Sequence, residues 1–200
     1  MNPNTEITKA DILPMNVYGA ERAQRRAQVT AMKRDRRVSI GPDATFYFEN
    51  YDTMYHQIHE MLWIEKGGED QISDELEAYN PLIPNGKELV ATLMFEIDDE
   101  VRRGQFLAGL GGVEETVSIS FDGTDKVLGQ PEEDVDRTNA AGKASAIQFL
   151  HFPFTDEQIF KFHDPNVQVT LGISHPKYGH IAILSAATRA ALSKDFSSER

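Results

Sequence analysis

Two hundred residues contain no cysteine and carry a formal net charge of −12. A chain of this size buries enough apolar surface to fold without disulfides, and the missing thiols exclude Cys-ligated zinc or iron–sulfur sites and a cysteine nucleophile. The acid excess argues against general nucleic-acid binding, which needs a basic surface.

No apolar run approaches the ~18 residues of a membrane span. The N-terminal segment also lacks the basic-then-apolar order of a secretory leader. The expectation is a cytoplasmic chain forming one domain over 1–200, with 1–7 as a frayed terminus. Asp11-Ile12-Leu13-Pro14 reads as a short turn stopped at proline. A helix then runs from Asn16 or Tyr18 to about Arg36. Its best apolar line is thin: Val17, Ala20, Ala27, Ala31 and Met32. Seven Lys/Arg fall between Arg22 and Arg37, and this basic helix reads as a solvated face, with an anion site or a protein interface as minority readings.

Val38–Ile40 and Thr45–Phe48 read as strands joined by Gly41-Pro42-Asp43, which is strong turn chemistry. Glu49-Asn50 forms the junction to the next helix, about 52–66, with Asn50 or Asp52 as cap. This helix has a clear core stripe of Tyr51, Met54, Tyr55, Ile58, Met61 and Leu62, and Gly67-Gly68 stops it. A second helix is expected from Ser73 as N-cap to about Tyr79. Glu88–Ile97 is the strongest strand candidate, followed by a helix over 98–110. Thr116–Phe121 alternates with period two. The acidic stretch 125–143, rich in Gly, Pro and Asn, reads as a surface loop. Strands over 145–154, 167–174 and 180–184, a short helix capped by Thr155, and a terminal helix over 185–196 complete the chain.

This order lacks the regular strand–helix alternation of a doubly wound nucleotide-binding fold. The later strands alternate apolar and polar, as antiparallel strands with one buried face do. The expected fold is α+β: a largely antiparallel sheet of six or seven strands with helices packed on one face.

Four groups of residues could carry chemistry. At about 100° per residue, Asp52, His56, His59 and Trp63 share an arc of the 52–66 helix. Imidazole and carboxylate at this spacing are weak candidates for a divalent metal, since they match neither the zinc-peptidase nor the di-iron pattern. Trp63 off the core stripe implies that a second face is covered, by the chain itself or by a partner such as another copy in a homo-oligomer. Glu49, Gln57 and Glu60 form a polar set at the strand–helix junction, with Glu60 one turn from His56. Glu96 interrupts an apolar strand and is expected to form an ion pair. His175 and Tyr178 lie in a turn, close to His180, where binding residues concentrate. Nucleotide-binding glycine loops and nucleophile elbows are missing, and no motif implies a cofactor.

The run Ala10–Pro14, then Arg36-Arg37-Val38, Gly41-Pro42, Thr45-Phe46, Phe48-Glu49-Asn50, Gln57-Ile58 and Glu60-Met61-Leu62, resembles an uncharacterised bacterial domain family of unknown function. The likeness continues through Tyr79-Asn80, Leu82-Ile83-Pro84 and Ala91-Thr92-Leu93 to His175-Pro176 and Tyr178. The resemblance implies no activity. Members resemble proteins encoded beside rubrerythrin-like and iron–sulfur oxidoreductase proteins, which implies a redox protein partner by association. Glu49, Asn50, Gln57 and Glu60 sit on resembling positions, whereas positions 56 and 59 are not regularly His in the family. The expected function is therefore a non-enzymatic accessory or interaction protein linked to redox or oxidative-stress metabolism. The alternative is an enzyme or metal-binding protein with a polar site near Glu49, Glu60 and His175.

Overall fold

The computed structural model describes residues 3–132 and 143–197. The first helix, α1 (Met15–Lys33), leads through a short 3-10 turn to the hairpin β1 (Arg37–Ile40) and β2 (Ala44–Glu49). Gly41 sets the hairpin turn with φ +65°, and a Cβ there would lie 2.7 Å from the Tyr178 hydroxyl and 2.6 Å from the His180 ring. Glycine is therefore required at this position both for conformation and for space. Helix α2 (Tyr51–Glu65) follows, and the Asn50 side chain accepts from the Thr53 amide as its N-cap. Helix α3 (Gly68–Tyr79) starts five residues earlier than the Ser73 cap expected from sequence. The left-handed Lys66 and the positive φ of Gly68 turn the chain between the two helices without a long break.

The remaining elements are β3 (Glu88–Phe95), α4 (Glu100–Leu107), β4 (Val117–Phe121), β5 (Asp125–Leu128), β6 (Gln130–Pro131), β7 (Ile147–Pro153), α5 (Asp156–His163), β8 (Val169–His175), β9 (Tyr178–Ile183) and α6 (Ala186–Leu192). Residues 125–131 are thus two short strands rather than a surface loop. The stretch 133–142, the rest of that expected loop, lies outside the described residues.

The strands form two antiparallel sheets in place of the single one expected. One has five strands in the order β1-β2-β3-β7-β6, the other four in the order β5-β4-β8-β9. Strands β5 and β6 meet at Gly129, whose amide still pairs with Val117 of the second sheet before the chain joins β7 of the first. The period-two alternation fixes that each strand buries one face. It does not say whether that face meets a helix or another sheet, and here the two apolar faces meet each other. Phe46, Phe48, Leu93 and Phe152 of the first sheet share one core with Val117, Ile119, Phe121, Leu171 and Ile173 of the second. Burying each such side chain stabilises the fold by roughly 1.5–3 kcal/mol.

Helices α1, α2 and α3 form a layer over the other face of the first sheet. Met54, Ile58 and Leu62 of α2 pack with Val90 and Phe149 of that sheet and with Ile7, Leu82 and Ile83. The fold begins at Ile7, which is buried and exchanges two backbone bonds of 2.9 Å with the Asn80 amide.

The buried line of α1 differs from the expected one. Val17 is 38% exposed, and Ala20, Ala27 and Ala31 also face solvent. The side packed on α2 is Tyr18, Arg22, Arg25, Val29 and Met32, with Tyr18 fully buried. Arginine stems cover apolar surface as well as small alanines do, so a line drawn through apolar residues alone misplaces this face.

Behind the hairpin, Arg36 donates to the Phe48 carbonyl at 3.0 Å and the Glu49 carbonyl at 2.9 Å, and forks onto the Asp195 carboxylate beyond α6. Arg36 and Asp195 are both buried. Burial raises the Asp195 carboxyl above its usual range, against the pull of Arg36.

Candidate functional site

The polar groups of the helical layer converge between α1 and α2. Arg22 grips Glu60 with two parallel bonds, Nε to Oε1 and Nη2 to Oε2, each 2.8 Å. The Tyr18 hydroxyl donates to the same Oε1 at 2.7 Å. A carboxylate flanked this way only accepts, so the single Tyr18 proton is committed to Glu60. The 3.2 Å contact between Tyr18 Oη and His56 Nδ1 must then be donated by His56. This ordering places the His56 proton on Nδ1 and leaves Nε2 as an acceptor with no hydrogen bond among the described residues.

The electrostatics follow from this chain. The Arg22 guanidinium, and secondarily the Tyr18 hydroxyl, pull the Glu60 carboxyl down to about 2. Burial first, then the Glu60 bond and charge, push the Tyr18 phenol above its usual value. Burial lowers His56, against the pull of Glu60, and nearby Lys33, Arg26 and Arg22 add to the lowering. His56 is therefore neutral at pH 7, with an available lone pair.

His59, one turn on, has both ring nitrogens occupied. Nδ1 donates to the Tyr55 carbonyl at 2.7 Å, and Nε2 accepts from the Leu13 amide at 3.0 Å. It is fully buried, and burial lowers its pKa. It pins the segment before α1 onto α2 and has no lone pair left for a metal. His59 therefore does not join Asp52 and His56 in a ligand set, and among the described residues no group of three or more His, Asp or Glu is placed to hold a metal ion.

A cleft of about 250 Å³ opens beside this chain, lined by Tyr18, Arg25, Gln28, Asp52, Tyr55 and His56, with Val29 and Met32 as its apolar side. Of the residues singled out from sequence, the cleft gathers Asp52 and His56, and Glu60 stands behind it through Tyr18. The others are placed elsewhere. Asn50 caps α2, and Gln57 turns to α3, where its amide reaches the Tyr79 hydroxyl at 3.4 Å. Glu49 is buried under the helical layer. Its Oε1 accepts from the Thr92 hydroxyl at 2.8 Å, and its Oε2 has no partner.

Tyr178 joins the two sheets. Its hydroxyl donates to the Ile40 carbonyl at 2.8 Å and accepts from the Asp43 amide at 3.0 Å. His175 Nδ1 accepts from the Lys177 amide within its own turn at 3.2 Å. Glu49, Glu60 and His175 share no contact. Glu96 is exposed and accepts from the Tyr47 hydroxyl at 2.8 Å; the Thr45 hydroxyl first, then that of Tyr47 and the charge of Arg37, hold its carboxyl below the usual range, where an ion pair was expected.

Sequence reasoning missed Tyr18, Arg22, Arg25 and Gln28, and treated Tyr55 as core alone. The signal lay in spacing: 18, 22, 25, 29 and 32 follow a four–three repeat down one helix face. Trp63 is explained by α1 as well. Its ring lies against Gly19, where a Cβ would approach ring carbons to 2.4 Å, and Arg22 stacks over it at 5.9 Å. The second covered face implied by Trp63 thus includes a cover from within the chain.

These features define an α+β scaffold of two facing antiparallel sheets, with a three-helix layer whose polar seam opens to solvent. Residues 6–196 match the model of a family described as "Protein of unknown function (DUF3501)", and the chain belongs to that family. It is similar to the crystal structure of a novel protein of unknown function from Burkholderia pseudomallei K96243. The two share 37% identity and a TM-score of 0.87, over 96% of this chain and 99% of that one. A search of curated proteins finds no match. No helix among the described residues is long and apolar enough to cross a membrane.

Proposed function

We propose that this chain is a non-enzymatic binding protein that serves a redox protein in an accessory role, and that its ligand enters the α1/α2 cleft. The observation that carries the reading is the ordered wall of that cleft. The Arg22–Glu60–Tyr18–His56 chain fixes His56 in one tautomer before any ligand arrives, and such preorganisation lowers the ordering cost of binding. Arg25, whose Nε and Nη2 pair with Glu21 at 3.0 and 2.7 Å, offers the rest of its guanidinium, Gln28 an amide and His56 an acceptor, while Asp52 offers a second acceptor. This set suits a small carboxylate or phosphate that also carries a hydroxyl or amine. The redox partner is supported by the family resemblance.

Calorimetry with a panel of small hydroxy acids, amino acids and phosphate esters tests the ligand. One class should bind saturably, and Arg25→Ala and His56→Ala should each weaken it at least tenfold at a temperature where circular dichroism shows both variants fully folded. Capture of a rubrerythrin-like protein on the immobilised chain tests the partner. No saturable ligand together with no capture at micromolar concentration would refute the reading.

A second reading, an enzyme or metal-binding site, contracts to Glu49 because Glu60 and His175 lie apart from it; it draws support from the buried, unpartnered Oε2 of Glu49, since such groups call for a functional explanation. Elemental analysis of untagged protein decides the metal part: stoichiometric metal that Glu49→Gln removes would favour it.

A further inference from the structure

A second cavity lies at the opposite end of the α1/α2 seam, about 630 Å³ in volume, within the ~300–1,000 Å³ range of small-molecule sites. Its walls come from four pieces of chain: the segment before α1, the first turn of α1, the end of α2 and the start of α3. Ile12, Leu13, Leu62, Ile72 and the Trp63 indole supply apolar surface. Its position is fixed by close packing, since Trp63 lies in close contact with Gly19 and edge-on to Tyr18, with ring centroids 6.4 Å apart.

The charged groups sit at the rim, and they are unbalanced. Lys9 pairs with Glu69 at 3.4 Å. Lys66, held in the left-handed conformation that ends α2, forms no ion pair among the described residues. The Trp63 ring N–H likewise makes no hydrogen bond among them. An apolar chamber with one uncommitted cation and one uncommitted donor is complementary to a molecule with an apolar body and a single anionic head. Lys66, unpaired among the described residues, stands at the lip of this apolar cavity and selects an anionic head.

We propose that this cavity binds an amphipathic monocarboxylate, with the hydrocarbon against Trp63, Leu62 and Ile72 and the carboxylate at Lys66. The site is separate from the α1/α2 cleft and does not depend on the function assigned to that cleft.

Trp63 is the chain's sole tryptophan, so its emission reports directly on the cavity. The full chain is titrated with sodium decanoate, and in parallel with decanol and decyltrimethylammonium. Decanoate should shift the emission saturably, with decanol weaker and the cation weaker still. Lys66→Gln should weaken decanoate at least about tenfold, the lower end for one charge-assisted hydrogen bond, and leave decanol unchanged. Ile72→Glu, checked for folding by circular dichroism, should abolish both. In Trp63→Phe the optical signal should vanish while calorimetric binding survives. Arg25→Ala, which alters the other cleft, should leave the titration untouched. The proposal is overturned by no saturable change with decanoate, by equal affinity for decanoate and decanol, by loss of binding in Arg25→Ala, or by retention of binding in Ile72→Glu.

Discussion

The space between the two sheets and the seam between α1 and α2 are both interior, but they are built from different chemistry. The first is filled with phenylalanine and branched aliphatic side chains, among them Phe46, Phe48, Phe121 and Phe152. The second is filled with Tyr18, His59 and the paired Arg22 and Glu60. Apolar packing is non-directional, so many side-chain arrangements of similar volume would fill the first. Hydrogen bonds are directional, and each unpaired group is costly, so the second tolerates few arrangements. The seam is therefore more exactingly specified, and it is also the region whose polar groups reach an open cleft.

The largest expected effect comes from the point where the two regions join. Arg36 ties β2 to the segment after α6 through two carbonyls and the buried Asp195 carboxylate. Removing one partner strands the other charge without water. Arg36→Ala should destabilise the fold by about 3–5 kcal/mol, read from the urea midpoint. A replacement of both residues by apolar ones should recover much of that loss, since it leaves no charge behind. Failure of the double variant to recover would mean that the carbonyl contacts of Arg36, not the ion pair, dominate.

A smaller effect is expected at the closure between the sheets. Tyr178→Phe keeps the ring but leaves the Ile40 carbonyl and the Asp43 amide without their phenol partner. The cost should be about 1–3 kcal/mol, the penalty for orphaned buried groups. Hydrogen exchange should localise it to 40–44 and 175–180. A loss spread evenly over both sheets would instead mark Tyr178 as part of the global core.

The same contrast explains what could be read from sequence. Period-two runs and the Gly41-Pro42 turn identify β1, β2, β3 and β4 because apolar alternation is a local signal. Pairing between sheets is not local, so the same alternation was compatible with one sheet or two. On the helical side, the stripe of α2 stands out because Met54, Ile58 and Leu62 are apolar. The facing stripe of α1 was hidden because its members include arginines, which composition assigns to solvent. Two residues that line the cleft, Asp52 and His56, were therefore singled out, though as weak metal ligands, with Glu60 behind them. The α1 side, Tyr18, Arg25 and Gln28, required knowing which helix lies opposite.

The most delicate prediction concerns how the seam responds to acid. Glu60 has an ordinary pKa of 4.5 and is held at about 2 in the fold, chiefly by Arg22 and then by Tyr18. A carboxyl depressed on folding binds fewer protons in the native state than in the unfolded one, so it favours the native state above the unfolded pKa. That contribution is complete above about pH 4.5 and drains away as pH falls towards 2. His56 is depressed too, by burial, so its part of the same slope lies higher, below its ordinary value of 6.5. Glu60→Gln should therefore lessen the fall of the melting temperature between pH 4.5 and 2.5 while keeping a slope around pH 6, and His56→Gln should lessen the slope around pH 6, leaving there the share of the buried His59, which is depressed in the same direction. The two slopes separate because Glu60 is depressed from 4.5 and His56 from 6.5, although each charge also acts on the other: Glu60 pulls His56 up and His56 pulls Glu60 down. If Glu60→Gln flattened both segments, the His56–Tyr18–Glu60 chain would be titrating as one unit. The cleft would then carry a coupled proton site in place of a static wall.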